Sequence, residues 1–247
     1  MKRLLLSLFL VYGIMVTGQT TEPIEADRPD QTETPAIVPK GMFQLEMGFS
    51  YQKNKTKSTS LALPSVLWKY GVNENFELRL ITELVVDKEL DTTTSGINPI
   101  LIGCKIKICE EKGIVPKTSF IGHMSIPNAA SSKYKADFYA PEFRFTMQHT
   151  LSDKLSFGYN LGSEWDGFLA EPTFIYTLTT GYSISEKLGS YVEFFGFAPQ
   201  EDKANHNFDA GITYLVNNNF MLDVSSGVGI TENAPDFYVA FGFSFRM

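Results

Sequence analysis

The chain has 247 residues, of which 43% are hydrophobic and 20% are charged, and its formal net charge is −7. This acidic balance argues against a nucleic-acid-binding protein, which would normally show a basic field. Two cysteines cannot form a disulfide scaffold, and the apolar content argues against a wholly disordered chain.

The first 18 residues are typical of a secretory signal peptide. Lys2 and Arg3 precede an apolar run over residues 4–16, which has the length of a signal h-region and is short for a membrane-spanning helix. The short side chains at 16–18 offer a cleavage point. We therefore expect residues 1–18 to direct export to the periplasm; the alternative is a buried N-terminal helix.

Residues 19–41, called the arm below, differ in kind from the rest of the chain. The arm contains four prolines, is polar, and has neither the period of a strand nor that of a helix. This composition predicts an extended, irregular segment.

From residue 42 onward, apolar and polar residues alternate with a period of two. Phe43, Leu45 and Met47 lie on one face of the first such segment, and Gln44 and Glu46 lie on the other, as in a strand with one apolar face. The recurring pattern predicts about 12 strands. The predicted ranges are 42–52, 59–70, 76–86, 97–109, 117–127, 137–149, 155–165, 171–183, 188–198, 207–216, 219–230 and 237–247.

Two of these segments are weaker, and the connectors help to place them. Segment 59–70 alternates poorly and contains Pro64, and segment 188–198 carries aromatic residues on both faces. Turn residues bound both segments, so we keep them as strands. Tight connectors alternate with longer ones along the chain, which predicts an up-and-down meander with both termini on the short-turn side.

Two architectures share this alternation: a soluble β-sandwich, which buries the apolar faces, and a transmembrane barrel, which turns them to lipid. Four features favour the barrel. They are the signal peptide, the glycines on the polar faces, the aromatic residues at strand ends, and the C-terminal alternation of Phe241, Phe243 and Phe245, which resembles a signal for the barrel-assembly machinery. We therefore predict an all-β, up-and-down antiparallel transmembrane β-barrel in the outer membrane of a Gram-negative cell, in contact with its lipid. Closure pairs every backbone group internally, as lipid requires.

The polar faces of the strands supply a candidate lumen lining. The predicted lining residues are the acids Glu46, Glu77, Glu83, Glu142, Glu164, Glu193, Asp209 and Asp223 and the bases Arg79, Lys105, Lys107, Arg144 and Arg246. Ionised groups in a narrow tube must pair or shift their protonation. They therefore either fill and rigidify the barrel or form a selectivity lining with a mild preference for cations.

The charged centre of the arm permits a sharper interpretation. Asp27, Arg28, Asp30 and Glu33 stand directly before the first strand. They would enter the barrel from the periplasmic side as a plug and pair with charges in the lumen. A disordered periplasmic leader is the alternative.

The sequence carries no enzymatic signature. It has no G-x-S-x-G, HExxH or phosphate-binding loop, and no Cys/His cluster with metal-site spacing. A phospholipase of the outer membrane would need a serine at i ± 2 from its histidine, and His149 has none there. We predict no enzyme, no cofactor and no metal, and we interpret Cys104 as a small lipid-facing residue.

Several segments resemble the family named for the MetA pathway of phenol degradation, many of whose members are called transporters. The matching pieces are DRPDQTE (27–33), VPKG (38–41), the turn at 70–72 leading to ELRL (77–80), IGHMSIP (121–127) and the stretch 208–230. The resemblance spans nearly the whole mature chain. It implies an outer-membrane barrel and points to a channel for small solutes, aromatic or hydrophobic compounds among them.

Three functional hypotheses follow. The first is an outer-membrane channel or transporter through which small solutes pass passively along a charged lumen. The second is a non-conducting structural or surface-interaction barrel, and the third is a soluble periplasmic β protein. Detergent-dependent extraction separates the third from the others, and bilayer conductance separates the first from the second.

Overall fold

The computed structural model describes residues 22–56 and 58–247. The predicted signal peptide, residues 1–18, lies outside this described part. The described strands are β1 (Phe43–Lys53), β2 (Thr59–Asn73), β3 (Phe76–Glu89), β4 (Thr92–Ile97), β5 (Ile100–Cys109), β6 (Lys117–Ile126), β7 (Ala140–Ser152), β8 (Leu155–Glu164), β9 (Thr173–Ser183), β10 (Leu188–Pro199), β11 (Asn205–Asn217), β12 (Phe220–Gly229) and β13 (Phe237–Arg246). No helix within these two ranges is long and apolar enough to cross a bilayer.

The strands form one closed antiparallel sheet. The strands pair in chain order, except that β5 pairs with β3 instead of β4; β1 pairs with the last strand, β13, and the β2–β3 pairing completes the ring. β4 and β5 pair with successive lengths of β3, so they occupy one position in a ring of 12 strands. The predicted up-and-down transmembrane barrel is confirmed.

One predicted strand needs a correction. The range 97–109 was expected to be continuous, but β4 ends at Ile97 and β5 begins at Ile100. Pro99 has no N–H to donate to the ladder, which explains an interruption at this point. β4 also extends the hairpin with β3 into residues 92–97, most of which were expected to be a loop.

The poor alternation of β2 has a structural cause. Its register with β3 shifts between Ala62 and Ser65, and Pro64 lies in this irregularity, where a missing N–H is tolerated. The inward face therefore changes from odd-numbered residues such as Lys69 to even-numbered residues such as Ala62. A strict period of two cannot hold across such a shift.

Side-chain exposure is the reverse of that in a soluble protein. Leu78 and Ile102 are each 50% exposed, whereas Glu77 and Lys105 on the same strands are 0% exposed. This distribution places apolar side chains towards lipid and polar ones towards the barrel axis, as in transmembrane barrels. It is incompatible with the β-sandwich, which would bury the apolar faces.

The two rims of the barrel differ. Phe43 and Met247 exchange backbone hydrogen bonds of 2.7 and 2.8 Å, so the start of β1 and the C-terminus meet on the rim that carries the tight turns. Tight turns mark the periplasmic rim of outer-membrane barrels, and longer connections such as 127–139 mark the outer rim.

Candidate functional site: the arm inside the lumen

The arm runs into the barrel from the periplasmic rim and returns to it. The Ile24 N–H donates to a carbonyl of the β11–β12 turn at 2.8 Å, and the Gly41 N–H donates to the Gly71 carbonyl at 2.7 Å. Between these points the chain reverses, and the Thr34 N–H donates to Asp27 Oδ1 at 2.9 Å. The described part of the arm is thus a re-entrant loop with both ends at the periplasmic rim.

Carboxylates of the barrel wall accept hydrogen bonds from backbone N–H groups of the arm. The pairs are Asp27 and Arg28 with Glu46, Gln31 and Thr32 with Glu193, and Val38 with Glu77, at N···O distances of 2.7–3.1 Å. Buried backbone groups need such partners. Because residues 22–41 form no strand or helix that could supply them, the wall supplies them instead.

Donors of the wall bind the arm's carbonyl groups in the same way. The pairs are Gln44 with Glu25, Arg144 with Gln31, Asn160 with Glu33, Lys105 with Thr34, and Ser119 with Pro35. The arm is therefore held by side chains from several strands rather than by a ladder of backbone hydrogen bonds.

Asp27 is the most heavily paired residue of the arm. Its carboxylate lies 2.8 Å from Lys69 Nζ, 3.0 Å from Arg79 Nη1 and 2.9 Å from Lys105 Nζ. Burial alone would raise the pKa of Asp27, but these three cations hold it well below its ordinary value. We call Asp27, Lys69, Arg79 and Lys105 the Asp27 cluster.

Further acids complete the charge balance around this cluster. Arg79 also binds Glu33 of the arm, and its Nη1 lies 3.1 Å from Glu77. Lys69 also binds Glu46. Three cations thus meet four carboxylates in a region closed to solvent, which is how buried charges are tolerated.

Arg28 projects to the opposite part of the lumen and pairs with Asp223. Its Nη2 lies 2.7 Å from Asp223 Oδ1. The guanidinium lies over Gly48 and Gly242, which are register partners on β1 and β13. A Cβ at Gly48 would overlap Arg28 Nη1, so this glycine leaves the space that the guanidinium occupies.

Asp30 faces acidic groups instead of basic ones. Burial raises its pKa well above the ordinary value, and Glu193 and Asp209 raise it further. Asp209 accepts hydrogen bonds from the hydroxyls of Tyr191 and Tyr238. This side of the lumen therefore favours a protonated Asp30.

The remaining predicted lining residues lie farther from the arm's centre. Glu142 lies 2.7 Å from Arg144 Nε and 3.5 Å from His123 Nδ1. Glu164 is the register partner of Glu142 on β8. Glu83 lies towards the outer rim and accepts a hydrogen bond of 2.7 Å from Asn98.

Two predicted lining residues lie near the periplasmic rim. Lys107 forms an exposed ion pair of 2.8 Å with Glu110. Arg246 donates to Asn219 Oδ1 and to the Glu22 carbonyl where the arm enters. Neither residue contributes to the charge clusters around the arm.

Several lumen residues were not predicted. Lys69 was missed because the shift in β2 hides its inward orientation. Phe195 and Phe197 point into the lumen, and the aromatic residues on both faces of β10 were the available signal. The alternation did place Gln44 and Asn160 on the polar faces, but the predicted lining listed charged residues alone.

The arm separates two cavities within the barrel. The outer chamber, of about 470 Å³, is lined by Arg28, Gln31, Gly48, Glu83, Phe195, Phe197, Asn207 and Tyr238, among others. The inner chamber, of about 240 Å³, is lined by Arg28, Asp30, Thr32, Gly158, Tyr191 and Met221, among others. Arg28 contacts both cavities, so the arm forms the boundary between them.

Known structures share this fold. The "COG4313 outer membrane channel from Pseudomonas putida F1" superposes with a TM-score of 0.65 at 11% identity, covering 89% of this chain and 99% of that one. The NanC porin gives 0.57 at 9% identity and the KdgM porin 0.52 at 10% identity, each covering 81% of this chain and 98% of its own. At such low identity the likeness concerns the fold, which is that of outer-membrane barrels. No curated protein sequence matches the chain.

A family model described as "Putative MetA-pathway of phenol degradation" matches residues 26–247. The match includes the central part of the arm together with the whole barrel. The chain therefore belongs to this family.

Proposed function

We propose that the protein is an outer-membrane channel through which small solutes pass passively, and that the arm restricts this passage. The observation that carries the proposal is the pair of cavities on the lumen axis, one on each side of the arm. The barrel wall is continuous, so a solute that crosses must pass the arm. Polar side-chain contacts hold the arm, and such contacts can be exchanged for water when it moves.

The solutes that we propose are small and include aromatic or hydrophobic compounds. The family description, which names phenol degradation, supports this class. The inward rings of Phe195, Phe197 and Tyr238 support it as well, since a purely hydrophilic path would not need them. The proposal also includes the route to the membrane. The chain is exported through the periplasm and is inserted into the outer membrane by the barrel-assembly machinery.

A non-conducting barrel is the second candidate. It is favoured by the number of hydrogen bonds and ion pairs that hold the arm, since a rigid filling of the lumen would use the same contacts. The two candidates differ in one measurable property, which is transport after the arm is removed.

The test compares the mature protein with a variant that lacks residues 20–36, in planar bilayers and in liposome-swelling assays. This deletion keeps Val38, whose N–H binds Glu77, and Gly41, which binds Gly71, so the approach to β1 is preserved. We expect conductance to rise several-fold in the deletion variant, and phenol to permeate both proteins faster than glucose or glycine.

The lipid-facing variant Gly122→Ala is a matched control, because a Cβ there meets only the Phe120 ring at 3.4 Å. It should conduct like the native protein. Equal conductance with and without residues 20–36 would contradict the role of the arm. An absence of transport in both proteins would favour the non-conducting barrel.

A further inference from the structure

The outer chamber contains one carboxylate that has no charged partner. Among the described residues that line this cavity, only Arg28 and Glu83 are charged. The Arg28 guanidinium lies 2.7 Å from Asp223, whose side chain is closed to solvent, so that pair is neutral. Glu83 accepts a hydrogen bond of 2.7 Å from the uncharged Asn98 and belongs to no ion pair among the described residues. The lining of the chamber therefore carries a net negative charge, and this charge belongs to Glu83.

The wall around Glu83 is rich in hydrogen-bonding groups. Ser65 of β2 is the register partner of Glu83 on β3, which brings their Cβ atoms to roughly 5 Å. Ser50 and Gln52 of β1 line the same chamber. All four side chains are half-buried, so a solute in the cavity can reach them. Hydroxyl and amide oxygens accept hydrogen bonds, and this wall therefore suits a solute that carries several donors.

A second cavity adjoins the outer chamber at the outer rim, and its lining is also acidic. The cavity measures about 430 Å³, and its charged lining residues are Lys133, Glu142, Glu164 and Asp166. Arg144 neutralises Glu142 at 2.7 Å, which leaves two acids against one lysine. Asn98 lines this cavity and donates to Glu83, so the two spaces are neighbours. A solute that arrives from outside thus meets negative potential first, and such a potential attracts cations.

We propose that the outer chamber binds small organic cations that carry a primary ammonium group. The ammonium donates to the Glu83 carboxylate and to the hydroxyl of Ser65, and the rest of the solute contacts Gln52 and Ser50. A charge-assisted hydrogen bond of this kind is roughly twice as strong as a neutral one. The cavity of about 470 Å³ accommodates a solute of several heavy atoms as well as its ammonium group. The inference goes beyond the proposed function and rests on it only in taking the outer chamber as part of the solute path.

The experiment measures equilibrium binding to the full mature barrel in detergent by saturation-transfer NMR, which detects weak ligands and does not require conductance. The probes are ethanolammonium, ethylene glycol and glycolate, which are similar in size and carry a positive, a zero and a negative charge. Titrations are run in about 0.15 M NaCl, so that sodium competes throughout.

The variants are Glu83→Gln, which keeps an acceptor for Asn98, and Ser65→Ala. Glu74→Gln is the matched control, because it removes the same charge from the exposed turn between β2 and β3 at the opposite rim. Heat-modifiable gel migration verifies that each variant is folded.

We expect saturable binding of ethanolammonium to the native protein and much weaker binding of the other two probes. Glu83→Gln should weaken ethanolammonium binding about tenfold and Ser65→Ala about threefold, whereas Glu74→Gln should leave it unchanged. The site is contradicted if ethylene glycol or glycolate binds as tightly as ethanolammonium, or if Glu83→Gln and Glu74→Gln behave alike. A complete loss of ethanolammonium binding in NaCl would also overturn it, because the chamber would then prefer an inorganic cation.

The binding result and the transport result are independent. Ethanolammonium binding without conductance would support the site and count against the channel. Conductance without saturable ethanolammonium binding would overturn the site and leave the channel intact.

Discussion

One carboxylate of the arm joins three strands of the barrel. Asp27 binds Lys69 of β2, Arg79 of β3 and Lys105 of β5, and its own side chain is only 4% exposed. Water cannot replace these contacts while the arm is docked, so the cluster is intact only when Asp27 is present and ionised. Asp27 thus forms more ion pairs with the barrel wall than any other described residue of the arm.

Asp27→Asn tests that contribution. The substitution removes the charge and leaves three buried cations with fewer partners. Breaking a buried ion pair in this way destabilises the docked arm by about 3–5 kcal/mol. We expect the arm to undock more often, so that bilayer conductance rises and the arm becomes more susceptible to proteolysis. Glu25→Gln is the control, because Glu25 belongs to the same arm, is 53% exposed and lies 3.8 Å from its partner Lys117. Identical conductance and proteolysis in the two variants would contradict the importance of the Asp27 cluster.

Gly48 provides a second test at the scale of one residue. A methyl group at this position would overlap the end of the Arg28 side chain, which is flexible, so Gly48→Ala should fold but displace the guanidinium from Asp223. We expect a change in ion selectivity, measured as reversal potential, because Asp223 would lose its partner. Gly122→Ala, on the lipid side, should leave the reversal potential unchanged. A native reversal potential in Gly48→Ala would show that the Arg28 pair does not affect permeating ions.

At the scale of elements, the strands were predictable and the contacts of the arm were not. A period of two is local, so it predicts a strand and its apolar face from about ten residues. The irregularity at Pro64 breaks that period, which is why Lys69 was missed. The split at Pro99 is a similar local failure.

The arm presents the opposite situation. Its proline-rich composition predicts an irregular segment, and its charges suggest a plug, but its partners lie far away in the sequence. Arg28 and Asp223 are 195 residues apart, and Thr32 and Glu193 are 161 residues apart. No local pattern encodes such pairs, because they depend on how the closed barrel brings its strands together.

Across the whole molecule, the arm meets wall cations on one side of the lumen only. Cations of β2, β3 and β5 lie on one side, where they bind Asp27 and Glu33. Acids of β10 and β11 lie on the other side, where they face Asp30. The arm thus places its carboxylates in two environments with opposite effects on their protonation, and this asymmetry makes its docking depend on pH.

The direction of that dependence follows from the two pKa shifts. An undocked aspartate titrates near its ordinary value of about 4, whereas docking raises the pKa of Asp30 through burial and through Glu193 and Asp209. The docked arm therefore binds a proton more readily, and its docking strengthens as the pH falls towards 4 from the raised value. Asp27 has a lowered pKa when docked, so its ion pairs remain intact over this range and weaken only below about pH 4.

We therefore expect conductance to fall as the pH is lowered towards 5, with a docking equilibrium that changes by at most about tenfold per pH unit for one proton. Asp30→Asn mimics the protonated form, so its conductance should be low and should depend less on pH than that of the native protein. The measurement is bilayer conductance of both proteins at several pH values and constant ionic strength. A rise in conductance on acidification would mean that the acids of the wall, rather than Asp30, determine the response. If the Asp30→Asn variant showed the same pH dependence as the native protein, the conclusion would be the same, because an asparagine at position 30 cannot titrate.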